Sequence, residues 1–180
     1  LDLLNDGDVL VLAGSGPKSL PDSIYCDIME RLEDRKLKTV VDATGDLLVN
    51  TLKFKPFLIK PNNRELGDIF GVELKTRADV IPYAKKLRSM GAENVLVSMA
   101  GDGAVLACGD GGVYEIEAPK GKMVNSTGAG DSMVAGFIAG YMESGDFLAA
   151  LKLGVSAGSA SAFSENLAVK EEIMKIFKDL

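Results

Sequence analysis

A short run of small side chains, followed at once by a carboxylate, is the chain's most informative feature. Residues 125–136 read NSTGAGDSMVAG, in which Gly128, Ala129 and Gly130 leave their backbone N–H groups uncovered. The first N–H groups of a helix have no acceptor inside that helix, and the helix dipole adds partial positive charge there. Such a helix start suits a phosphate. Asp131 follows directly and could accept a proton from an attacking hydroxyl, so the run predicts phosphoryl transfer.

The same spacing has a plainer interpretation, which is close packing. Gly-x-Gly is common at helix starts for packing alone, and an aspartate suits any first helical turn. Five residues after the motif are apolar at helical spacing: Met133, Val134, Phe137, Ile138 and Tyr141. They predict a buried helix with Asp131 at its inner end. Because buried carboxylates without a role are uncommon, this favours the functional interpretation.

The run NSTGAGDSMVAGF resembles the C-terminal signature of the PfkB, or ribokinase-like, sugar kinases. The segments KPNNREL (60–66) and GVSAGSASAFSENLA (154–168) resemble one branch of that family, the 1-phosphofructokinases and tagatose-6-phosphate kinases. The resemblance extends over essentially all 180 residues. It implies that Asp131 is the catalytic base and that residues 128–130 form the anion hole.

The resemblance also implies the reaction and the organisation of the protein. ATP with Mg²⁺ would phosphorylate fructose 1-phosphate to fructose 1,6-bisphosphate, with tagatose 6-phosphate and fructose 6-phosphate as the alternative acceptors. Residues 1–180 would form one ribokinase-like α/β domain, the C-terminal nucleotide-binding and catalytic portion of such an enzyme. The family's N-terminal part and lid would then be missing, and two copies would pair through that lid as a homodimer.

A second group of polar residues begins at the end of a predicted strand, where ligands of open α/β sheets bind. Asn62 and Glu65 are three residues apart, which suits either a capping box or a hydrated Mg²⁺. Spacing alone favours the cap. The resemblance adds that these two residues organise Mg²⁺ and phosphate, and that Lys60 contacts the nucleotide. Asp42, at the end of another strand, either caps a turn or belongs to the metal shell.

The segment SMAGDG, residues 98–103, joins two predicted strands. A tight hairpin explains its glycines without any ligand. The resemblance implies instead that Ser98, Gly101 and Gly103 line the nucleotide, together with Thr127 and the glycines of the helix mouth. Ala100 stands where glycine is frequent in the family.

Strand and helix patterns alternate along the chain. The apolar runs predict strands at 8–13, 38–42, 57–60, 95–99, 104–107 and 113–117. Helices are predicted from about Asp22, near Asn63, and at 78–90, 130–143, 146–163 and 170–178. This order predicts a three-layer αβα domain with a mostly parallel central sheet.

Composition excludes several classes of function. The net charge of −6 argues against binding the backbone of nucleic acids, and no run of ~18 apolar residues predicts a membrane span. The chain has no histidine, which excludes a Ser-His-Asp triad and a His-based zinc site. Cys26 and Cys108 lack metal-like spacing and are interpreted as free thiols of a reducing compartment, so we expect a cytoplasmic protein.

A dinucleotide-binding βαβ unit is the rival interpretation, and it would make the protein an NAD-dependent oxidoreductase. An apolar strand, the run GSG at 14–16, a helix and a strand ending at Asp42 imitate that unit. However, Ser19 takes the place of the third glycine, and Pro17 and Pro21 remove N–H donors that a pyrophosphate needs. A third interpretation is a catalytically idle relative that binds nucleotide.

Overall fold

The computed structural model describes residues 3–14, 21 and 23–180, and in these ranges it shows six strands and seven α-helices. The strands are β1 Val9–Ala13, β2 Lys38–Asp42, β3 Leu58–Ile59, β4 Asn94–Ser98, β5 Ala104–Ala107 and β6 Val113–Ile116. The helices are α1 Ile24–Glu30, α2 Gly45–Val49, α3 Asn63–Phe70, α4 Arg77–Ser89, α5 Ala129–Ser144, α6 Phe147–Phe163 and α7 Lys170–Asp179. Short 3₁₀ turns span Asn50–Phe54 and Ala100–Asp102.

The strands form one sheet in chain order, β1-β2-β3-β4-β5-β6, and the first four are parallel. The links after β4 and β5 have only five residues each. Because a parallel crossover needs a dozen or more residues, the sheet is mixed. The predicted α/β fold with a mostly parallel sheet is therefore confirmed.

The described residues divide into two compact units: Leu1–Val97 with Ala107–Val113, and Ser98–Leu106 with Tyr114–Leu180. The single domain over residues 1–180 stays a prediction. The first unit contains the parallel ladder, in which Val40 pairs with Val11 and Leu58. Val40, Val41, Leu58 and Ile59 are fully buried, as expected for strands covered on both faces.

The N-terminal half of the first unit differs most from the sequence-based expectations. Helix α1 begins at Ile24, whereas the expected start, Asp22, lies outside the described residues. Its buried residues are Tyr25 and Met29. Helix α2 and the 3₁₀ turn after it were not predicted, because five residues are too few to show a helical period.

The second unit is built around the packing of α5 against α6. A Cβ atom added to Gly136 would lie 2.7 Å from Leu153 O, and one added to Gly154 would lie 2.9 Å from Met133 O. At Gly158 the corresponding distance to Ala129 O is 3.0 Å. Only hydrogen atoms fit at these positions, so the backbones of the two helices nearly touch. Gly136 and Gly140 of α5 therefore face α6, whereas Ala135 and Ala139 are exposed.

No helix within the described ranges is long and apolar enough to cross a membrane. Cys26 is partly exposed, and Cys108 is buried.

Gly154→Ala tests the contact between α5 and α6. We expect the free energy of unfolding to fall by about 1–3 kcal/mol, because the added methyl group meets backbone atoms that cannot give way. Urea unfolding monitored by circular dichroism measures the change. Gly101→Ala is the matched control: nothing lies within 4 Å of its added Cβ, and the expected loss is under about 0.5 kcal/mol. Equal losses in the two variants would contradict the expectation.

Candidate active site

The start of helix α5 is open in the way that the sequence predicts. Gly128 is its N-cap with φ of 77°, and no side chain caps the helix. The N–H of Ala129 donates to Ser126 O over a long 3.3 Å. Among the described residues, no acceptor lies within hydrogen-bonding distance of the N–H groups of Gly130 and Asp131. These donors are thus available to an anion.

Local interactions shape the turn at residues 125–128, just before α5. The N–H of Thr127 donates to Asn125 Oδ1 at 3.0 Å, which turns the backbone just before the helix. Gly128 then adopts the left-handed conformation that glycine accepts most readily. A Cβ there would approach Leu167 Cδ2 to 2.7 Å. The glycine is therefore required by the backbone as well as by the space around it.

The prediction that Asp131 lies at a buried inner end of the helix is wrong, because the side chain is exposed. Gly136 and Gly140 face α6. At about 100° per residue, Asp131 lies about 140° around the helix axis from Gly136 and about 180° from Gly140. The packed face of α5 therefore points away from the carboxylate. The carboxylate of Asp131 is therefore open to solvent.

In the first unit, Lys60 and Asp42 form an ion pair. Lys60 Nζ lies 3.1 Å from Asp42 Oδ1, and the exposed fractions of the two side chains are only 8% and 16%. Asp42 ends β2 and Lys60 follows β3, and the register pairs Val41 with Ile59. The two strand ends thus bring together the predicted nucleotide-contacting lysine and the predicted metal-shell carboxylate.

Tyr25 lies close to the same strand ends. Its hydroxyl is 2.7 Å from Ala13 O and 2.9 Å from Gly14 O, so it donates to the end of β1. Burial, and then the negative charge of Asp42, raise the pKa of Tyr25. The phenol therefore stays protonated as a donor at neutral pH. The glycine loop of the rival dinucleotide interpretation continues from here, but its residues 15–20 lie outside the described part of the chain.

Asn62 and Glu65 form the capping box that their spacing predicts. Asn62 Oδ1 accepts the N–H groups of Arg64 and Glu65, both at 2.9 Å, and Glu65 Oε2 accepts the N–H of Asn62 at 2.8 Å. Asn62 Oδ1 has no lone pair left for a cation. The other oxygen of Glu65 stays open. Within the described residues, no cluster of three or more Cys, Asp or Glu side chains is arranged to hold a metal ion.

The segment from Ser98 to Gly103 is a hairpin turn in which the N–H of Met99 donates to Gly103 O at 2.8 Å. Gly103 has φ of 90°, and a Cβ there would overlap Ile116 O, so packing alone requires glycine. Gly101 is exposed and has open space around it. Ala100 has φ of 48°, a conformation that costs a non-glycine residue about 1 kcal/mol. This left-handed conformation explains why glycine would suit position 100, where Ala100 stands.

The first unit also contains a cleft that the sequence did not predict. It has a volume of about 530 Å³ and includes Glu65 in its wall, together with Asp46, Asp68, Phe70 and Met90. Part of its wall comes from α2, the helix that was too short to recognise in the sequence.

Comparison with known proteins identifies relatives over almost the whole chain. Residues 1–173 match the family described as pfkB family carbohydrate kinase. The 1-phosphofructokinase of Bacillus subtilis (strain 168) is 46% identical over 177 residues, which cover 98% of this chain and 58% of that protein. A D-tagatose-1-phosphate kinase of Bacillus licheniformis is 37% identical over 163 residues, covering 89% of this chain and 53% of that protein.

A solved structure agrees with these relatives. Phosphofructokinase-2 from Escherichia coli, in complex with substrates and products, superposes with a TM-score of 0.91 at 27% identity. The match covers 98% of this chain and 58% of that one. The chain thus spans between half and two thirds of the length of these relatives.

Glu65→Gln distinguishes the role of Glu65 in capping α3 from its predicted role in binding Mg²⁺. Glutamine keeps the hydrogen bond to Asn62 but loses the charge, so we expect the free energy of unfolding to change by less than about 0.5 kcal/mol. Mg²⁺ affinity in the presence of ADP should fall about tenfold, as is typical when a supporting ligand is lost. Calorimetric titration with Mg²⁺ measures this affinity. Asn62→Ala is the comparison and should cost about 1 kcal/mol of stability. Unchanged Mg²⁺ affinity in Glu65→Gln would exclude Glu65 as a metal ligand.

Proposed function

The chain belongs to the pfkB family of carbohydrate kinases, and from this membership we propose that it supplies the nucleotide-binding and catalytic part of an ATP-dependent kinase for sugar phosphates. The observation that carries the proposal is the start of α5. Two backbone N–H groups without acceptors stand beside an exposed carboxylate. An anion site next to a base is what transfer of a phosphoryl group to a hydroxyl requires. A family of kinases gives the dinucleotide interpretation no support.

In the proposed reaction, Asp131 accepts the proton of the sugar hydroxyl as the oxygen attacks the γ-phosphate in line. The N–H groups of Gly128, Ala129 and Gly130 donate to the phosphoryl oxygens, where negative charge develops. The bond from Ala129 to Ser126 O is long at 3.3 Å, so this N–H can change acceptors at little cost. Thr127, just before the mouth, is proposed to contact the nucleotide. Positioning and electrostatics provide the acceleration, and no covalent intermediate is needed.

The first unit is proposed to contribute to metal and phosphate binding. Mg²⁺ keeps several waters and takes one or two protein carboxylates together with phosphate oxygens. The open oxygen of Glu65 and the carboxylate of Asp42 fit such a hydrated ion, which would offset phosphate charge when bound. Asn62 fits less well as a ligand because both lone pairs of its Oδ1 are used, but its Nδ2 can donate to a phosphate. The buried ammonium of Lys60 suits a phosphate as well.

The remaining nucleotide contacts are proposed in the hairpin turn of the second unit. Ser98 and Gly101 are the stronger candidates, because nothing in the packing explains a glycine at position 101. Gly103 is already required by its contact with Ile116 O. Its role toward the nucleotide is therefore to shape the turn.

Fructose 1-phosphate is the proposed acceptor, and fructose 1,6-bisphosphate the product. Two relatives, at 46% and 37% identity, are named for sugars that carry a 1-phosphate. D-Tagatose 1-phosphate is therefore a second candidate, ahead of tagatose 6-phosphate and fructose 6-phosphate. Cytoplasmic location and pairing of two copies stay predictions from the sequence.

Asp131→Asn tests the assignment of the base. In the gene's full-length product, we expect turnover to fall on the order of 10²-fold or more, because asparagine cannot accept the proton. ATP affinity should stay within about twofold, since the backbone donors are untouched. A coupled assay of ADP release and calorimetry measure the two quantities. Glu143→Gln, an exposed carboxylate on the same helix, is the control and should leave turnover unchanged. Near-normal turnover of Asp131→Asn would exclude Asp131 as the base.

A panel of acceptors tests the substrate. ADP release should be fastest, by kcat/KM, with fructose 1-phosphate, and at least about tenfold slower with the 6-phosphates, because a misplaced phosphate loses charge-assisted hydrogen bonds. Preference for a 6-phosphate would overturn the choice of acceptor but leave the kinase assignment intact. Titration with NADH, followed by its fluorescence, checks the oxidoreductase alternative and should show no binding.

A further inference from the structure

The hydroxyl of Ser161 joins three segments around the mouth of α5. Ser161 lies in the last turn of α6 and is only 2% exposed. Its Oγ lies 3.1 Å from the N–H nitrogen of Ala168 and 2.9 Å from Ser132 Oγ. Because a backbone N–H can only donate, Ser161 accepts from Ala168, and its one proton is donated to Ser132. The end of α6, the loop after it and the first turn of α5 are thus linked through one atom.

This link lies next to residues 128–131, the turn that carries the open N–H groups. Ser132 is the residue after Asp131. About one turn before Ser161, Gly158 packs so closely on the start of α5 that an added Cβ would lie 3.0 Å from Ala129 O. Ala168 follows Leu167, whose side chain covers Gly128. Both flanks of residues 128–131 are therefore positioned by neighbours of Ser161.

A second buried serine on the same helix shows that burial alone does not produce such a link. Ser156 is fully buried, and its Oγ donates to Lys152 O at 2.8 Å within α6 itself. This is the ordinary local bond of a serine inside a helix. Ser156 and Ser161 thus differ in what their hydroxyl groups join, although residue type, helix and burial are alike.

We propose that Ser161 is a positioning residue for phosphoryl transfer, which fixes the backbone of residues 128–131 by binding Ser132 and Ala168. This inference rests on the proposed function. Its physical reason is that a displacement of about 1 Å in a reacting or stabilising group can slow a reaction about 10²-fold. Asp131 is exposed, so nothing around its side chain can correct a shift of its backbone.

Ser161→Ala removes the hydrogen bonds to Ser132 and Ala168, and we expect the protein to remain folded. Alanine favours helix more than serine does, and α6 keeps its glycine contacts with α5. The loop also keeps a second tie, because Asn125 Nδ2 donates to Glu165 O at 3.1 Å. The N–H of Ala168 then has lost its acceptor, and the hydroxyl of Ser132 has lost its donor. The expected result is a mobile turn in a folded protein.

Kinetics of the gene's full-length product test the role. We expect kcat of Ser161→Ala to fall about tenfold, as for the loss of one hydrogen bond in the transition state, with KM for ATP and for fructose 1-phosphate within about twofold. Ser156→Ala is the matched control, and its kcat should stay within about twofold. Ser132→Ala breaks the same bond from the other side, and the double variant should lose no more than the worse single variant. Equal kcat in Ser161→Ala and Ser156→Ala, or additive losses in the double variant, would overturn the inference.

Amide hydrogen exchange of the ligand-free protein provides a readout that needs no activity. In Ser161→Ala, exchange at Ala168 and Ser132 should become about tenfold faster, while Ser156→Ala should leave both unchanged. Unchanged exchange in Ser161→Ala would overturn the inference even if kcat fell. Absence of ATP-dependent turnover in the unsubstituted protein would refute the proposed function instead, and the exchange rates would still show whether Ser161 orders the turn.

Discussion

The near-contact between the backbones of α5 and α6 is the constraint on which the candidate active site depends. Glycines on both helices remove the side chains that would hold the helices apart, and at Gly136, Gly154 and Gly158 an added Cβ would lie within about 3 Å of the partner's backbone. Dense backbone contact of this kind fixes the rotation of a helix as well as its distance, since any turn about the axis brings a bulkier residue into the interface. The direction in which Asp131 points follows from that rotation. The direction of the carboxylate at the helix start is therefore set by glycine contacts along the length of both helices.

Much of this arrangement could be predicted from the sequence, because the relevant signals are local. The apolar runs predicted the strands within a residue or two. The sequence failed where the answer depended on which neighbour a face meets. Apolar residues indicated that α5 is buried, but not that its packed face lies opposite Asp131. Tyr25 was missed for a related reason, since its burial depends on carbonyl acceptors at the end of another element.

The ion pair of Lys60 with Asp42 shows a second limit of sequence-based reasoning. Asp42 was recognised as a ligand candidate because it ends a predicted strand, and Lys60 was recognised through the family resemblance. Their pairing depends on the register between β2 and β3, which places Val41 beside Ile59, and a shift of one residue would separate the charges. A mostly buried ammonium needs such a partner, because desolvation of an unpaired charge is costly. The carboxylate of Asp42 thus gives the mostly buried ammonium its partner and holds it in place.

The helix starts of this protein differ in one respect that bears on its stability. Helices α3, α4 and α6 begin with Asn62, Thr76 and Asp146, whose side chains accept hydrogen bonds from the first turn. Helix α5 begins with Gly128 and has no such partner. An asparagine or serine at this position would typically stabilise a helix by about 1 kcal/mol, but its oxygen would occupy the donors that an anion needs. One of the longest helices thus lacks a side-chain cap, and under the proposed function a bound phosphate would itself serve as that cap and so stabilise the helix.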